Sequence, residues 1–332
     1  MADKIKKPPG RPSSKSKRII PFRGIVSSPE YQEDDDSYSS HMELLYSNPT
    51  IFKKIFKLYK QYNCEYVDIR FDYEHVYIIA KDHLCKNIIY TTFNCDTMNR
   101  YYCREPYDIR MQVPDIVRIM NVISAQHVYI LFQSIVYNKN ESMKITIKDD
   151  KSSMVDTYIL PLFPTGESPY GHINKLYDDI ETYPIKFNMP HTSWKNIIKT
   201  VTNISEVIRF EKIGEDPLKV YGTLSNGQTY MSSYLSDEGK NKLICELDED
   251  YPFNIGIKVK HIKPQSSSLL SDEVRINMNV DKPMVCTSYI DMDTKATKYG
   301  KQKIYGTHRA EVNVFSCIEG NEMNEELIEL LS

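Results

Sequence analysis

Lysine recurs at Lys53, Lys57 and Lys60, positions i, i+4 and i+7, with Lys54 beside them and no acid between Thr50 and Tyr62. The spacing returns at Lys195, Lys199 and Thr202, again with no acid between Thr192 and Ile204. On a helix these positions share one face. A face of ammonium groups can hold phosphates, which gives attraction without base readout. The plain alternative is a solvated helix face, but such a face ordinarily mixes Lys with Glu at i, i+4. Two weaker segments add to the set: Arg118 within Val113–Ile123, and Lys258, Lys260, His261 and Lys263 within Lys258–Leu270. Covalent chemistry finds no comparable pattern. The eight histidines lack metal-ligand spacing, and no G-x-S-x-G or phosphate-binding glycine loop occurs. Scattered carboxylates such as Asp68 and Asp72 read as surface charges. No catalytic residue, cofactor or metal is assigned, and the chain is not read as an enzyme.

Charge distribution supports the electrostatic reading more than net charge does. The 332 residues sum to -3. Yet residues 1–23 carry Lys4, Lys6, Lys7, Arg11, Lys15, Lys17, Arg18 and Arg23 against one acid, Asp3. The remainder is acidic, so a polyanion-binding surface on it must be a segregated patch. Seven cysteines, odd in number and without a C-x-x-C pair, argue against a disulfide framework or zinc site and for a reducing compartment. No apolar run reaches the length of a membrane span, and no secretory h-region is visible.

The elements that must position these residues run in two rounds. Residues 1–40 are poor in apolar side chains and read as a disordered arm. Then come a strand (Met42–Tyr46), a helix (Thr50–Tyr62), strands at Tyr66–Phe71, His75–Ala80 and Asn87–Phe93, a helix (Val113–Ile123), and strands at His127–Phe132, Met143–Lys148 and Val155–Phe163. The second round has a strand (Tyr183–Asn188), a helix (Thr192–Ile204), and strands at Val207–Lys212, Leu218–Thr223 and Gln228–Tyr234. A strand-to-helix passage (Phe253–Leu270) and strands at Glu273–Asn279, Met284–Ile290 and Ala310–Ser316 complete it. In the first helix Ile51, Ile55, Leu58, Tyr59 and Tyr62 form the apolar stripe; in the third, Trp194, Ile197, Ile198, Val201 and Ile204 do. The repeat unit is roughly 120–135 residues, too long for a solenoid. The expected fold is α+β, two similar domains in tandem: domain one at 41–163, a connector at 164–182, domain two at 183–317 and a tail at 318–332.

At these residues the sequence resembles the proliferating-cell-nuclear-antigen family of DNA sliding clamps. The segment from Thr50 to Lys60 is similar to the first inner helix of those clamps. Arg110–Met120 is similar to the strand and second helix, and the resemblance resumes at Tyr183–Pro190 and Asp272–Ile290. It spans roughly residues 41–316, and its strength lies in order and spacing. The Gly10-Arg11-Pro12 arm resembles most the clamp-like proteins of large cytoplasmic DNA viruses of the African swine fever virus type. The resemblance implies a non-catalytic processivity factor: a homotrimeric ring with helices lining the hole and sheets outside. Double-stranded DNA would pass through it, and a polymerase and other clamp-binding peptides would be held on an outer face. It further implies edge pairing between copies through Val155–Phe163 and Gln228–Tyr234, and a setting at viral replication sites in host cytoplasm, or else nuclear.

The expected DNA-binding residues are Lys53, Lys54, Lys57, Lys60, Arg118, Lys195, Lys199, Lys260 and Lys263 on the body, and Lys6, Lys7, Arg11, Lys15, Lys17 and Arg18 on the arm. The expected partner pocket lies under the connector. Leu176 and Pro283 align with the family's docking positions, Tyr177 lies beside Leu176, and Ile78 and Ala80 lie near. The plain alternative is that Leu176 and Tyr177 pin the loop. The arm reads as a single AT-hook-like segment placing Arg in a narrow minor groove, or as a basic tail for nonspecific or import contacts. Three features depart from the family: the long connector, Pro264 inside the fourth helix, expected to shorten or kink it, and the Leu-rich tail at Glu319–Ser332. Two other readings stand beside the clamp: an architectural binder of A·T-rich DNA, and a monomeric processivity factor held by charge.

Overall fold

The computed structural model describes residues 40–137, 140–149, 155–165, 170, 179–224, 226–227, 229–234, 242–247, 252–291, 295–297, 300–302 and 308–319. Expectations for the arm, for Leu176 and Tyr177, and for the tail beyond Glu319 lie outside the described residues.

The first half runs β1 (Met42–Tyr46), α1 (Pro49–Gln61), β2 (Tyr66–Phe71), β3 (His75–Lys81), β4 (Asn87–Asn94), β5 (Arg100–Cys103), β6 (Tyr107–Gln112), α2 (Val113–Val122), β7 (His127–Tyr137), β8 (Asn140–Asp149) and β9 (Val155–Pro161). The second runs β10 (Ile185–Pro190), α3 (His191–Thr202), β11 (Val207–Lys212), β12 (Leu218–Thr223), β13 (Thr229–Tyr234), β14 (Lys242–Cys245), β15 (Phe253–Lys258), α4 (Val259–Ser268), β16 (Glu273–Met278), β17 (Met284–Asp291), the short pair β18 (Lys295–Thr297) and β19 (Gly300–Gln302), and β20 (His308–Ser316). The protein is α+β: antiparallel sheet predominates, with four α-helices among the described residues.

The halves repeat one another in register. In the first, β2 pairs β6 with Tyr66 opposite Gln112, and Val113 of α2 donates to Glu65 O at 2.9 Å. In the second, β11 pairs β15 with Val207 opposite Lys258, and Val259 of α4 donates to Glu206 O at 2.8 Å. Beyond the last strand of each half, Phe163 N–H reaches Arg110 O at 3.0 Å and Glu319 N–H reaches Gly256 O at 2.6 Å. Asp68 and Arg110 therefore have Arg209 and Gly256 as their counterparts.

Each half splits its strands between two sheets. One sheet has the order β5-β1-β7-β8-β9, and another β13-β12-β11-β15. The remaining two groups join edge to edge in a nine-stranded sheet, β14-β10-β16-β17-β20-β4-β3-β2-β6. The joint is β20 on β4, with Asn313 opposite Tyr90 and Phe315 opposite Ile88. Ala310, Val312 and Val314 of β20 belong to the core of the first half, and Ile318 to that of the second. Division at residue 183 thus separates two repeats but not two independent cores.

Helix α4 runs through Pro264 to Ser268, so the expected shortening at that residue does not occur. The ring costs the bond to Lys260 O, yet the helix is short and its buried residues hold it against the sheet. It ends at Leu269, whose φ of 48° is left-handed. Two four-residue strands, β5 and β14, went unread in the sequence; both are edge strands lacking a long alternating pattern.

Candidate nucleic-acid interface

The apolar stripe of α1 buries Ile51, Phe52, Ile55, Phe56, Leu58 and Tyr59, and that of α3 buries Trp194, Ile197, Ile198 and Val201. Their polar faces must point away from the sheets. Helices α1 and α2 pack together, as do α3 and α4, and α1 also meets α4. The order α2-α1-α4-α3 makes one layer across both halves. These four helices carry nine Lys or Arg and a single acid, Asp115. In a chain of net charge -3, these helices segregate positive charge onto one layer.

Lys54, Lys57, Lys60, Lys199, Lys260, Lys263 and Arg118 are exposed, and Lys195 is half-buried. Arg118 bonds Asp115 at 3.0 Å, which offsets part of its charge. Lys53 departs from the rest. Its Nζ donates to Ile123 O at 2.6 Å and Asn121 O at 3.3 Å, so it caps the carbonyl end of α2. His261, read from sequence on the basic side of α4, is buried instead.

His261 belongs to a polar cluster at the joint between the halves. Asn87 Nδ2 lies 2.8 Å from Asp82 Oδ2 and 3.0 Å from His261 Nδ1, and Ser316 Oγ donates to Asn87 Oδ1 at 2.9 Å. A carboxylate only accepts, so the amide NH2 faces Asp82, and His261 Nδ1 must accept as well. The imidazole is thereby neutral with its proton on Nε2. Burial lowers its pKa; Lys260, Lys258 and Lys86 act in the same direction, while Asp82 opposes them. Sequence patterns hold no signal for this cluster, because its members come from the β3–β4 turn, the start of β4, α4 and β20.

Two residues expected at the partner pocket face elsewhere. Ile78 and Ala80 are buried in the core of the first half, because alternate residues of β3 face inward. Their neighbours Tyr77 and Ile79 face the other way, into a third apolar cluster with Tyr90, Tyr170, Tyr183, Val285 and Phe315. Tyr170, from the connector, is buried there and donates to Tyr77 O at 3.3 Å. Pro283 is half-buried nearby, its carbonyl accepting from Tyr183 Oη at 2.9 Å. The sequence reading centred on Leu176 and missed Tyr170; an isolated aromatic in a Pro/Gly-rich stretch gives no periodic signal.

Edges complete the geometry. Strand β20 is paired on both sides, by β17 and β4, whereas its counterpart β9 has only β8 among the described strands, and β13 has only β12. Val155 and Ile159 of β9 are 48% and 40% exposed, and Met231 of β13 is 56% exposed. All seven cysteines are free thiols, and no helix among the described residues is long and apolar enough to cross a membrane.

No family model matches the chain. It is similar to an uncharacterized protein of African swine fever virus. The protein of a tick isolate from Malawi and that of a pig isolate from Kenya are each 24% identical over 298 residues, covering 88% of this chain and 96% of the relative. The similarity therefore extends over nearly the whole of a viral protein.

Proposed function

We propose that the chain is a DNA sliding clamp, a processivity factor whose copies close edge to edge around duplex DNA and hold a polymerase or other replication and repair proteins. The observation that carries this reading is the combination of a lysine-faced helical layer with open edges that repeat a joint already made inside the chain. The layer supplies attraction without base readout, as a sliding protein needs.

The internal joint also supports a geometry for the contact between copies. Strand β20 corresponds to β9, and β4 to β13. Carrying the internal register across sets Thr157 opposite Met231, Tyr158 opposite Tyr230 and Ile159 opposite Thr229 of a second copy. Such a head-to-tail contact must close into a ring or grow without limit, and closure removes the exposed edges. The family resemblance favours three copies, hence six repeats. A disulfide formed by Thr157→Cys with Met231→Cys between copies, together with a trimeric mass, is the expected result. A monomer at micromolar concentration would argue for charge-held binding.

Function is tested on circular and linear templates. The protein should be retained on circular or end-blocked DNA and lost from free ends. Lys57→Glu with Lys199→Glu should abolish polymerase stimulation, and undiminished stimulation would remove the helical layer from the mechanism. Each lost phosphate contact should lower the log–log salt slope by about 0.9. The Gly10-Arg11-Pro12 arm supports a second reading, an architectural binder of A·T-rich DNA, which requires retention indifferent to free ends.

A further inference from the structure

The first half covers its outer sheet with the chain that leaves it. Phe163 is fixed to Arg110 of β6, and seven residues later Tyr170 is buried against Tyr77, Ile79 and Tyr90. The second half builds the same exit. Glu319 is fixed to Gly256 of β15, and its carboxylate bonds Arg209 at 2.9 Å. Gly256 leaves room for this ion pair: a Cβ there would lie 2.8 Å from Glu319 Oε2 and 3.2 Å from Arg209 Nη1, the movable ends of both side chains.

The face beyond the exit differs between halves. In the second, Tyr221 and Met231, opposite one another in β12 and β13, hold the positions of Ile79 and Tyr90. Tyr221 is half-buried, and Met231 is 56% exposed where its counterpart Tyr90 is 2% exposed. The charges on this face are paired: Arg209 with Glu319, and Lys219 with Glu211 and Asp216. Residues 320–332 carry four glutamates, no lysine or arginine, and the apolar group Leu327, Ile328, Leu330 and Leu331.

We propose that residues 320–332 dock on the outer face of their own β11–β12–β13 sheet, with Leu327 covering Tyr221 and Met231 as Tyr170 covers Ile79 and Tyr90. The reach is sufficient, since Leu327 follows Glu319 by eight residues and Tyr170 follows Phe163 by seven. The apolar content of the segment matches the exposed Met231 and half-buried Tyr221. The inference rests on the equivalence of the halves and not on the DNA reading, so loss of clamp activity leaves it untouched.

The test places a photo-crosslinking phenylalanine analogue at Met231 of the full chain and identifies the linked peptides by mass spectrometry. Links to residues 320–332 are expected, made within one chain when isotopically light and heavy copies are mixed. Leu327→Asp with Leu330→Asp should reduce them about tenfold or more, the scale of two leucines losing burial. Links to another protein, links only between chains, an absence of tail links, or a yield unmoved by the aspartates would each overturn the proposal. The same analogue at exposed Leu84 of the first half should give no tail links, and an unchanged thermal midpoint shows that the aspartate variant keeps its fold.

Discussion

Single residues decide two matters that charge counting leaves open. Lys53 and Lys57 look alike in sequence, but Lys53 spends its donors on the end of α2. Lys53→Met should therefore lower stability by about 1 kcal/mol, measured by denaturant unfolding, and change the salt slope of the proposed DNA binding less than Lys57→Met does. His261 gives the fold a pH dependence. Its folded pKa lies below the unfolded value, so the unfolded chain binds the proton more readily. The stabilisation is complete above about pH 6.5 and is lost as pH falls below it. His191, buried and bonded to Gln265 O and Ser266 O, is shifted in the same direction by burial and adds to the effect. The unfolding midpoint should fall between pH 7 and 5, and a His261→Gln variant should fall less steeply. Legibility at this scale was partial: the lysine spacing was visible, whereas which lysine faces solvent depended on α2, 68 residues away.

Helices and strands were set largely by local pattern. The stripes of α1 and α3 and the alternation in β2, β11 and β12 all lie where periodicity places them. The departures have local causes. β5 and β14 are too short to alternate convincingly, and α4 tolerates Pro264 because burial of Val259, Ile262 and Gln265 fixes it regardless of propensity. Helix α3 also depends on close approach to β12. A Cβ on Gly222 would sit 2.7 Å from Val201 Cγ1 and 3.0 Å from Ser205 Cβ. Gly222→Ala should cost about 1–3 kcal/mol through overpacking. A thermal midpoint equal to the parent's would show that the helix end can shift without penalty.

At the scale of the whole molecule, the joint β20–β4 does what neither repeat does alone. It merges two sheets, places Val312 and Val314 in the first core, and brings Asn87, His261 and Ser316 together. Asn87→Leu removes the donor to Asp82 and His261 and should loosen the joint. Amide exchange along β4 and β20 should quicken while α3 keeps its protection; uniform protection throughout would mean that apolar packing alone holds the halves.

The sequence by itself determined the α+β class, the tandem order of strands and helices, and the lysine-faced helices in an acidic chain. These are properties of local spacing, and a helix or strand period is written within a dozen residues. Only the tertiary structure decided that Ile78 and Ala80 face the core, that Lys53 is a cap, that Tyr170 fills the outer cluster, and that the repeats share a sheet in fixed register. Those outcomes depend on which distant strand lies opposite, and pairing between residues 229 positions apart, such as Asn87 and Ser316, leaves no local period to read.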